Sequence, residues 1–283
     1  MHICKALICQ LPDSLSYSNE ISQENNQNAT AKLWIQPNGT VFKQYVIYNE
    51  VTEKNINNLL SLVKIKVLYR IPEISMPITA YQQDGKVAGY LMKYHKGVTL
   101  GELMRKSGSA EECFRAFFKI ASVINKLPKG VYIGDLHAGN VIVEHDDIHI
   151  IDVDGFSLER GAQISCPLFQ YKNHSLFQKA KYYDADGDFC IGKSSDIACL
   201  LRLALWLLMD ADPLSYSEAE LQKYLRFLKK KRLPKRFTKI LDIFMSGREN
   251  RLYPKAFRQL DTSLIKNCTY EKFVAYKRDQ PAI

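Results

Sequence analysis

The sequence predicts an α+β chain in which a small N-terminal antiparallel sheet with one helix precedes a larger, mainly α-helical part. Three observations carry this reading. Strand-like runs separated by turn dipeptides fill the first third, helical periodicity dominates from Gly97 onward, and one hairpin pattern lies embedded between helical segments. The boundary falls between residues 1–94 and residues 95–283. With 46% apolar and 11% aromatic residues, 283 residues suffice for a sizeable core, which excludes a disordered tail or a small stapled scaffold.

In chain order, residues 13–31 are rich in Ser, Asn and Gln and predict a loop between short strands. AKLWI and TVFKQYVIY flank Gln36-Pro37-Asn38-Gly39, which signals a hairpin closed by an N-G turn. Glu53, Ile56, Leu60 and Val63 then fall at helical spacing, giving an apolar stripe with a carboxylate at its N-terminal end. PITAYQQ and VAGYLMKY form a second strand pair across Asp84-Gly85. TLGELMRKS and SAEECFRAFFKIASVINKL read as helices, the second ending before Pro128 and Gly130. NVIVE and IHIID predict a hairpin around Asp146-Asp147; an irregular stretch over 157–192 and further helices follow. The most apolar run, Ile197 to Met209, has only 13 residues and contains Arg202, so it predicts a buried helix and no transmembrane segment.

Seven cysteines without a C-x-x-C pair argue against a disulfide framework or zinc ribbon, and the N-terminal MHICKALICQLP does not read as a secretory signal; a cytoplasmic protein is expected. Lys and Arg number 39 against 30 Asp and Glu, a net charge of +9. Nine of those cations lie between Lys223 and Lys239 with no acid among them, so the excess is local. It marks a possible site for an acidic partner or an anionic surface, and no specific nucleic-acid motif accompanies it.

Chemistry concentrates in Gly134-Asp135-Leu136-His137-Ala138-Gly139-Asn140 and the strand pair ending in Asp152-Val153-Asp154-Gly155. An Asp, an Asn five residues later and an Asp closing the returning strand bring a base candidate and two oxygen donors to one end of a hairpin. Hard oxygen donors in small number suit Mg²⁺, with Mn²⁺ possible, because the ion keeps positions for phosphate oxygens and water. Positioning plus charge neutralisation is what phosphoryl transfer needs from a protein. Lys43 in a strand, Glu53 on the next helix and the strand-to-linker segment Met92-Lys93-Tyr94 follow the order of a nucleotide site. Asp184 to Asp188 and the hairpin residues His145, Asp146, Asp147 and His149 read as solvated turns, the former lacking the glycine and glutamate of a calcium loop.

From about Ala31 to Leu260 these motifs resemble the protein kinase-like superfamily, including compact bacterial-type Ser/Thr kinases and atypical members without a Gly-rich loop. The resemblance implies a bilobal fold with a nucleotide-binding lobe over residues 1–94 and ATP as the nucleotide. It further implies that Lys43 binds the α and β phosphates and is held by Glu53, with Glu50 as rival. Met92 becomes the residue at the hinge entrance, and the backbone of Lys93, Tyr94 and His95 the adenine site. Asp135 matches the catalytic-loop aspartate, Asn140 and Asp152 the metal ligands, with Asp154 as a second candidate for Asp152's role. Asp196 in Ser195-Asp196-Ile197 resembles the aspartate that holds the catalytic-loop backbone, and Arg251 the late arginine of the helical lobe.

Departures accompany the match. Ser22 to Asn28 stand where a Gly-rich loop is expected, H-R-D has become Ile133-Gly134-Asp135, His137 takes a lysine position, and A-P-E is not recognisable. The expectation is an ATP- and Mg²⁺-dependent phosphotransferase acting on Ser/Thr hydroxyls of a protein substrate. A pseudokinase binding module and a small-molecule kinase of aminoglycoside type are the alternatives.

Overall fold

The computed structural model describes residues 7–12, 15, 20–21, 31–106, 109–158, 166–168, 191–246, 254–260 and 262–278. The expectations for Ser22 to Asn28, for Asp184 to Asp188 and for Arg251 lie outside the described residues, as does most of the segment in which A-P-E was sought.

Strands β1 (Leu7–Gln10), β2 (Glu20–Ile21), β3 (Ala31–Ile35), β4 (Thr40–Tyr45), β5 (Thr79–Gln83) and β6 (Lys86–Lys93) form one sheet in the order β1-β5-β6-β4-β3-β2. The two turn dipeptides fix its register. Gly39 at φ +76° closes β3 on β4 with Leu33 opposite Lys43, and Asp84-Gly85, both at positive φ, close β5 on β6. One pair departs from the antiparallel expectation: β1 runs parallel to β5. Arriving through a long connection, β1 is free of hairpin geometry, which alone forces antiparallel pairing. β6 is buried from Val87 to Met92, as befits a central strand.

Helix α1 (Glu50–Leu62) starts at Asn49, whose side chain accepts the Thr52 N–H. Thr52, Ile56, Asn58, Leu59 and Leu62 face inward, whereas Glu53 points to solvent. Asn58 donates to the Phe156 carbonyl at 3.0 Å, so a buried amide ties α1 to the segment that follows Asp152-Val153-Asp154-Gly155.

The helical part begins with β7 (Val98–Thr99) and α2 (Leu100–Arg105), where Thr99 and Glu102 form a reciprocal capping box. Helix α3 (Ala110–Lys126) buries Phe114, Phe117, Ile120 and Ile124 at helical spacing and ends before Pro128. β8 (Val131–Tyr132), β9 (Val141–Glu144), β10 (Asp147–Ile150) and β11 (Ser157–Leu158) supply two small sheets, β10-β9-β7 and β11-β8. The β9–β10 turn falls on His145-Asp146, one residue before the expected Asp146-Asp147, with His145 at φ +56°.

Helix α4 (Lys193–Met209) is the buried helix expected from its apolar run. Its Arg202 is 7% exposed and satisfied by Asp212, Nε to Oδ1 at 3.0 Å and Nη2 to Oδ2 at 2.6 Å. Helices α6 (Lys235–Ser246) and α9 (Tyr270–Arg278) pack on α4, α5 (Glu218–Lys230) packs on both of these, and α7 (Lys255–Arg258) and α8 (Thr262–Lys266) pack on α3. Phe114, Phe117, Phe237 and Phe257 meet edge to face with centroids 5.8–6.5 Å apart across the helices, a geometry that adds to their burial. No described helix is long and apolar enough to cross a membrane.

A short seam joins the sheet to the helical part. Ile74 bridges Ile150, the Ser75 N–H donates to the Ile150 carbonyl at 2.9 Å, and the Ile150 N–H donates to the Glu73 carbonyl at 2.7 Å.

Candidate active site

Period-two alternation on β4 puts Lys43 and Tyr45 on one face, and the β4–β6 register sets Tyr90 opposite Lys43. These three side chains converge on the segment after β10. The Lys43 ammonium donates to Asp154 Oδ1 at 2.9 Å and Oδ2 at 3.1 Å, and also to Asp152 Oδ1. Tyr45 Oη donates to Asp154 Oδ2 and Tyr90 Oη to Asp154 Oδ1, both at 2.8 Å. Asp154 is fully buried and its lone pairs are taken by a cation and two phenols.

Electrostatics follow from that enclosure. Burial works against Lys43's charge, yet Asp152 and Asp154 outweigh it and hold the ammonium protonated well above its usual range. Burial likewise opposes ionisation of Asp154, and Lys43 with the hydrogen-bond donors overcomes it, leaving that carboxyl below its ordinary value. Asp152 has fewer donors; burial together with Asp154 pushes it up to about 6, against the pull of Lys43. Its backbone sits in the left-handed region at φ +65°, which turns the chain sharply from β10 toward Asp154.

Asp135 lies on the loop between β8 and β9. Two backbone N–H groups of that loop, from Ile133 and Gly134, donate to Asp196 Oδ2 and Oδ1, each at 2.9 Å, so the first turn of α4 anchors the loop. Gly134 adopts φ +69°, and a Cβ there would stand 2.8 Å from Ser157 Oγ and 3.2 Å from the Gly155 carbonyl. Only glycine fits this backbone, which accounts for the missing H-R-D arginine. Asn140 is 9% exposed and donates through Nδ2 to the Asp135 carbonyl at 3.2 Å, and its own backbone carbonyl accepts the Ile151 N–H at 3.0 Å, which brings it close to Asp152 in the fold. Burial raises the Asp135 carboxyl above its usual range, with His137 and Lys43 pulling the other way. His137 Nδ1 accepts the Gly139 N–H at 3.1 Å, so its proton resides on Nε2, 3.9 Å from Asp135 Oδ2.

A cavity of about 800 Å³ opens on the Asp135 side, between α2, this loop and α4. Met104, Leu203, Trp206 and Leu207 give it apolar walls; His137 and Arg105 add polar ones.

The structure thus brings Lys43, Asp152 and Asp154 into contact and links Asp135 to Asn140. It does not bring Glu53 to Lys43. Glu53 is exposed because the helix turns Thr52, Ile56, Leu59 and Leu62 inward, and Glu50 is exposed as well, pairing with Lys54 at 2.6 Å. Asp154, considered in sequence only as a rival metal ligand, occupies the position of Lys43's carboxylate partner. Tyr45 and Tyr90 had a sequence signal that went unused, the i, i+2 spacing from Lys43 and the facing position on β6. At the hinge, Met92 is buried and opposite Val41, while the Tyr94 N–H donates to the Gly39 carbonyl at 3.1 Å. That amide is engaged with the sheet. The His95 side chain turns inward, 8% exposed, and stacks on His149.

No protein-family model and no curated protein sequence matches the chain. Solved structures do. The chain is similar to the PK-1 kinase of Cydia pomonella granulovirus, with a TM-score of 0.53 at 10% identity over 85% of this chain and 91% of that one. It is similar also to vaccinia related kinase 3, with a TM-score of 0.52 at 13% identity over 93% of this chain and 88% of that one. With its antiparallel-rich N-terminal sheet and helical C-terminal part, the chain has a protein kinase-like fold.

Proposed function

We propose that the protein is an ATP- and Mg²⁺-dependent phosphotransferase that passes the γ-phosphate to Ser/Thr hydroxyls of a protein substrate. The observation that carries this reading is the convergence of Lys43, from the sheet, with Asp152, from the β9–β10 hairpin, directly beneath it. Asn140 and Asp152 would hold the metal: both offer hard oxygen donors from one hairpin, and a carboxylate with an amide oxygen is a donor set Mg²⁺ accepts. Bound there, the ion would neutralise phosphate charge. Lys43 leaves Asp152 for the nucleotide's phosphates while Asp154, clamped by Tyr45 and Tyr90, keeps it on the cleft side. Asp135 accepts the proton of the incoming hydroxyl, helped by the burial that raises its basicity. His137 Nε2 stands 3.9 Å from Asp135 Oδ2, close enough to act on that carboxylate electrostatically.

The apolar walls of the cavity beside Asp135 favour a side chain presented by a polypeptide over a highly polar small molecule. The basic run fits the same picture. Leu225, Phe227 and Leu228 bury its apolar face, which leaves the cations of Lys223 to Lys239 outward for an acidic partner surface. Cys166 and Cys199, with Sγ atoms 4.0 Å apart and both thiols free, suit the reducing cytoplasm.

The test is transfer of radiolabelled phosphate from ATP by the purified protein to added protein substrates. Asp135→Asn should lower the rate about 10²–10⁴-fold while nucleotide binding persists. Undiminished transfer by that variant removes the mechanism. Phosphate found only on small molecules would overturn the protein acceptor, and nucleotide binding without any transfer would make the protein a binding module.

A further inference from the structure

We propose that His95, Glu144 and His149 form a binding site for a divalent transition metal of the Zn²⁺ class, which ties the end of β6 to the β9–β10 hairpin. The site is separate from the Asn140–Asp152 pair and independent of the phosphotransferase reading.

The topology assembles it. Glu144 closes β9 opposite Asp147, and His149 lies two residues further along β10, so both side chains share one face of the hairpin. His95, two residues beyond β6, lays its ring on His149 with centroids 3.6 Å apart. A single carboxylate oxygen, Glu144 Oε2, then stands 3.9 Å from His95 Nδ1 and 3.6 Å from His149 Nε2. The three donor atoms lie within 4.8 Å of one another. Zinc bonds of about 2.0–2.2 Å at tetrahedral angles need donors roughly 3.4 Å apart, so contraction by a few tenths of an ångström brings both carboxylate–imidazole pairs to ligand spacing.

Two independent features point to a ligand. His95 Nδ1 is buried with no hydrogen-bond partner, in a side chain only 5% exposed. A buried polar atom left alone is costly, and a metal bond would satisfy it. The opposite nitrogen, His95 Nε2, meets the buried Ser75 Oγ at 3.1 Å. With Ser75 accepting the Nε2 proton, Nδ1 is left with its lone pair toward Glu144, the arrangement by which outer partners orient metal-bound histidines. The rings are 17° from parallel. Lone pairs of parallel rings run side by side, so binding one ion requires one imidazole to tilt out of the stack.

The set of two histidines and one carboxylate leaves a fourth position open toward Glu144, the more exposed member. Oxygen-seeking Mg²⁺ is a poor match for two imidazoles, which separates this site from the nucleotide metal.

The full-length protein is titrated with Zn²⁺ by calorimetry and with Co²⁺ by visible absorption. One equivalent should bind, Co²⁺ should give the ligand-field bands of a four- or five-coordinate nitrogen–oxygen site, and Zn²⁺ should raise the melting temperature. Glu144→Gln and His149→Ala should each weaken binding at least about tenfold, and Ser75→Ala should weaken it less. Asp152→Asn should leave it unchanged. His95 is buried enough that its removal threatens folding, so the decisive variants are the two on the hairpin, each first checked by circular dichroism. Absence of binding by the folded wild type, binding that survives both hairpin substitutions, or binding lost in Asp152→Asn overturns the proposal.

Discussion

Lys43 and Asp154 form a buried ion pair, Nζ to Oδ1 at 2.9 Å, in which the carboxylate comes from the segment after β10 and not from the helix that packs on the sheet. Partner and lysine are thus held by different parts of the fold, with Tyr45 and Tyr90 completing the shell around Asp154.

Removal of that carboxylate should be expensive. Asp154→Ala leaves a buried ammonium with one partner and two phenols with none, and is expected to destabilise the protein by about 3–5 kcal/mol in chemical denaturation. Glu53→Gln, at an exposed helix position, should stay within about 0.5 kcal/mol of the parent. Equal losses from the two substitutions would refute the assignment.

Asp196 should give stability a characteristic pH dependence. Burial raises its carboxyl to about 7 in spite of the two backbone N–H donors, whereas the unfolded value is 3.8. Between those values the folded protein binds the extra proton, so the contribution of this group is complete below pH 3.8 and is lost as pH rises through 7. Denaturation midpoints of the parent should therefore fall across that window relative to Asp196→Asn, which lacks the titration. The same variant should lose about 1–3 kcal/mol at acid pH, because one N–H of Ile133 or Gly134 is left without an acceptor. Parallel pH profiles for the two proteins would count against a raised carboxyl.

Gly134→Ala tests the catalytic loop's backbone. A methyl group there meets Ser157 Oγ and the Gly155 carbonyl while the backbone keeps φ +69°. The expected cost is about 1–3 kcal/mol in stability together with a lower kcat, since Asp135 is the next residue. A stable variant with full activity would show that the loop adapts freely.

Asp152→Asn separates metal from nucleotide. At ligand concentrations near 100 times Kd the parent should gain about 2.7 kcal/mol from Mg²⁺-ATP, read as a melting shift. The variant should respond to ATP equally with and without Mg²⁺. A Mg²⁺-dependent shift that survives would move the ligand role to Asp154 or elsewhere.

The elements were legible wherever local chemistry decides them. The Asn38-Gly39 and Asp84-Gly85 turns set two hairpins, Thr99 with Glu102 opens α2, and the apolar spacing of Phe114, Phe117 and Ile120 marks α3. The loop from Asp135 to Asn140 was legible because its spacing is short, and its anchor Asp196, 63 and 62 residues from Ile133 and Gly134, only through the resemblance. What escaped depended on rotation or on contacts distant in sequence. Glu53 and Thr52 differ by one position on α1, about 100° of rotation, and the packing of Ile56, Leu59 and Leu62 turns Thr52, not Glu53, to the core. Asp154's role needs Tyr45 and Tyr90 from two different strands, 109 and 64 residues away. The parallel pairing of β1 with β5 likewise has no local signature.

The seam at Ile74 and Ile150 bears on how the molecule can move. Backbone hydrogen bonds on both sides of Ile150 resist sliding of the sheet over the helical part, because translation would break both at once. Rotation about the seam keeps them. The motion these bonds permit is thus a pivot beside Ile150, two residues before Asp152, and not a slide.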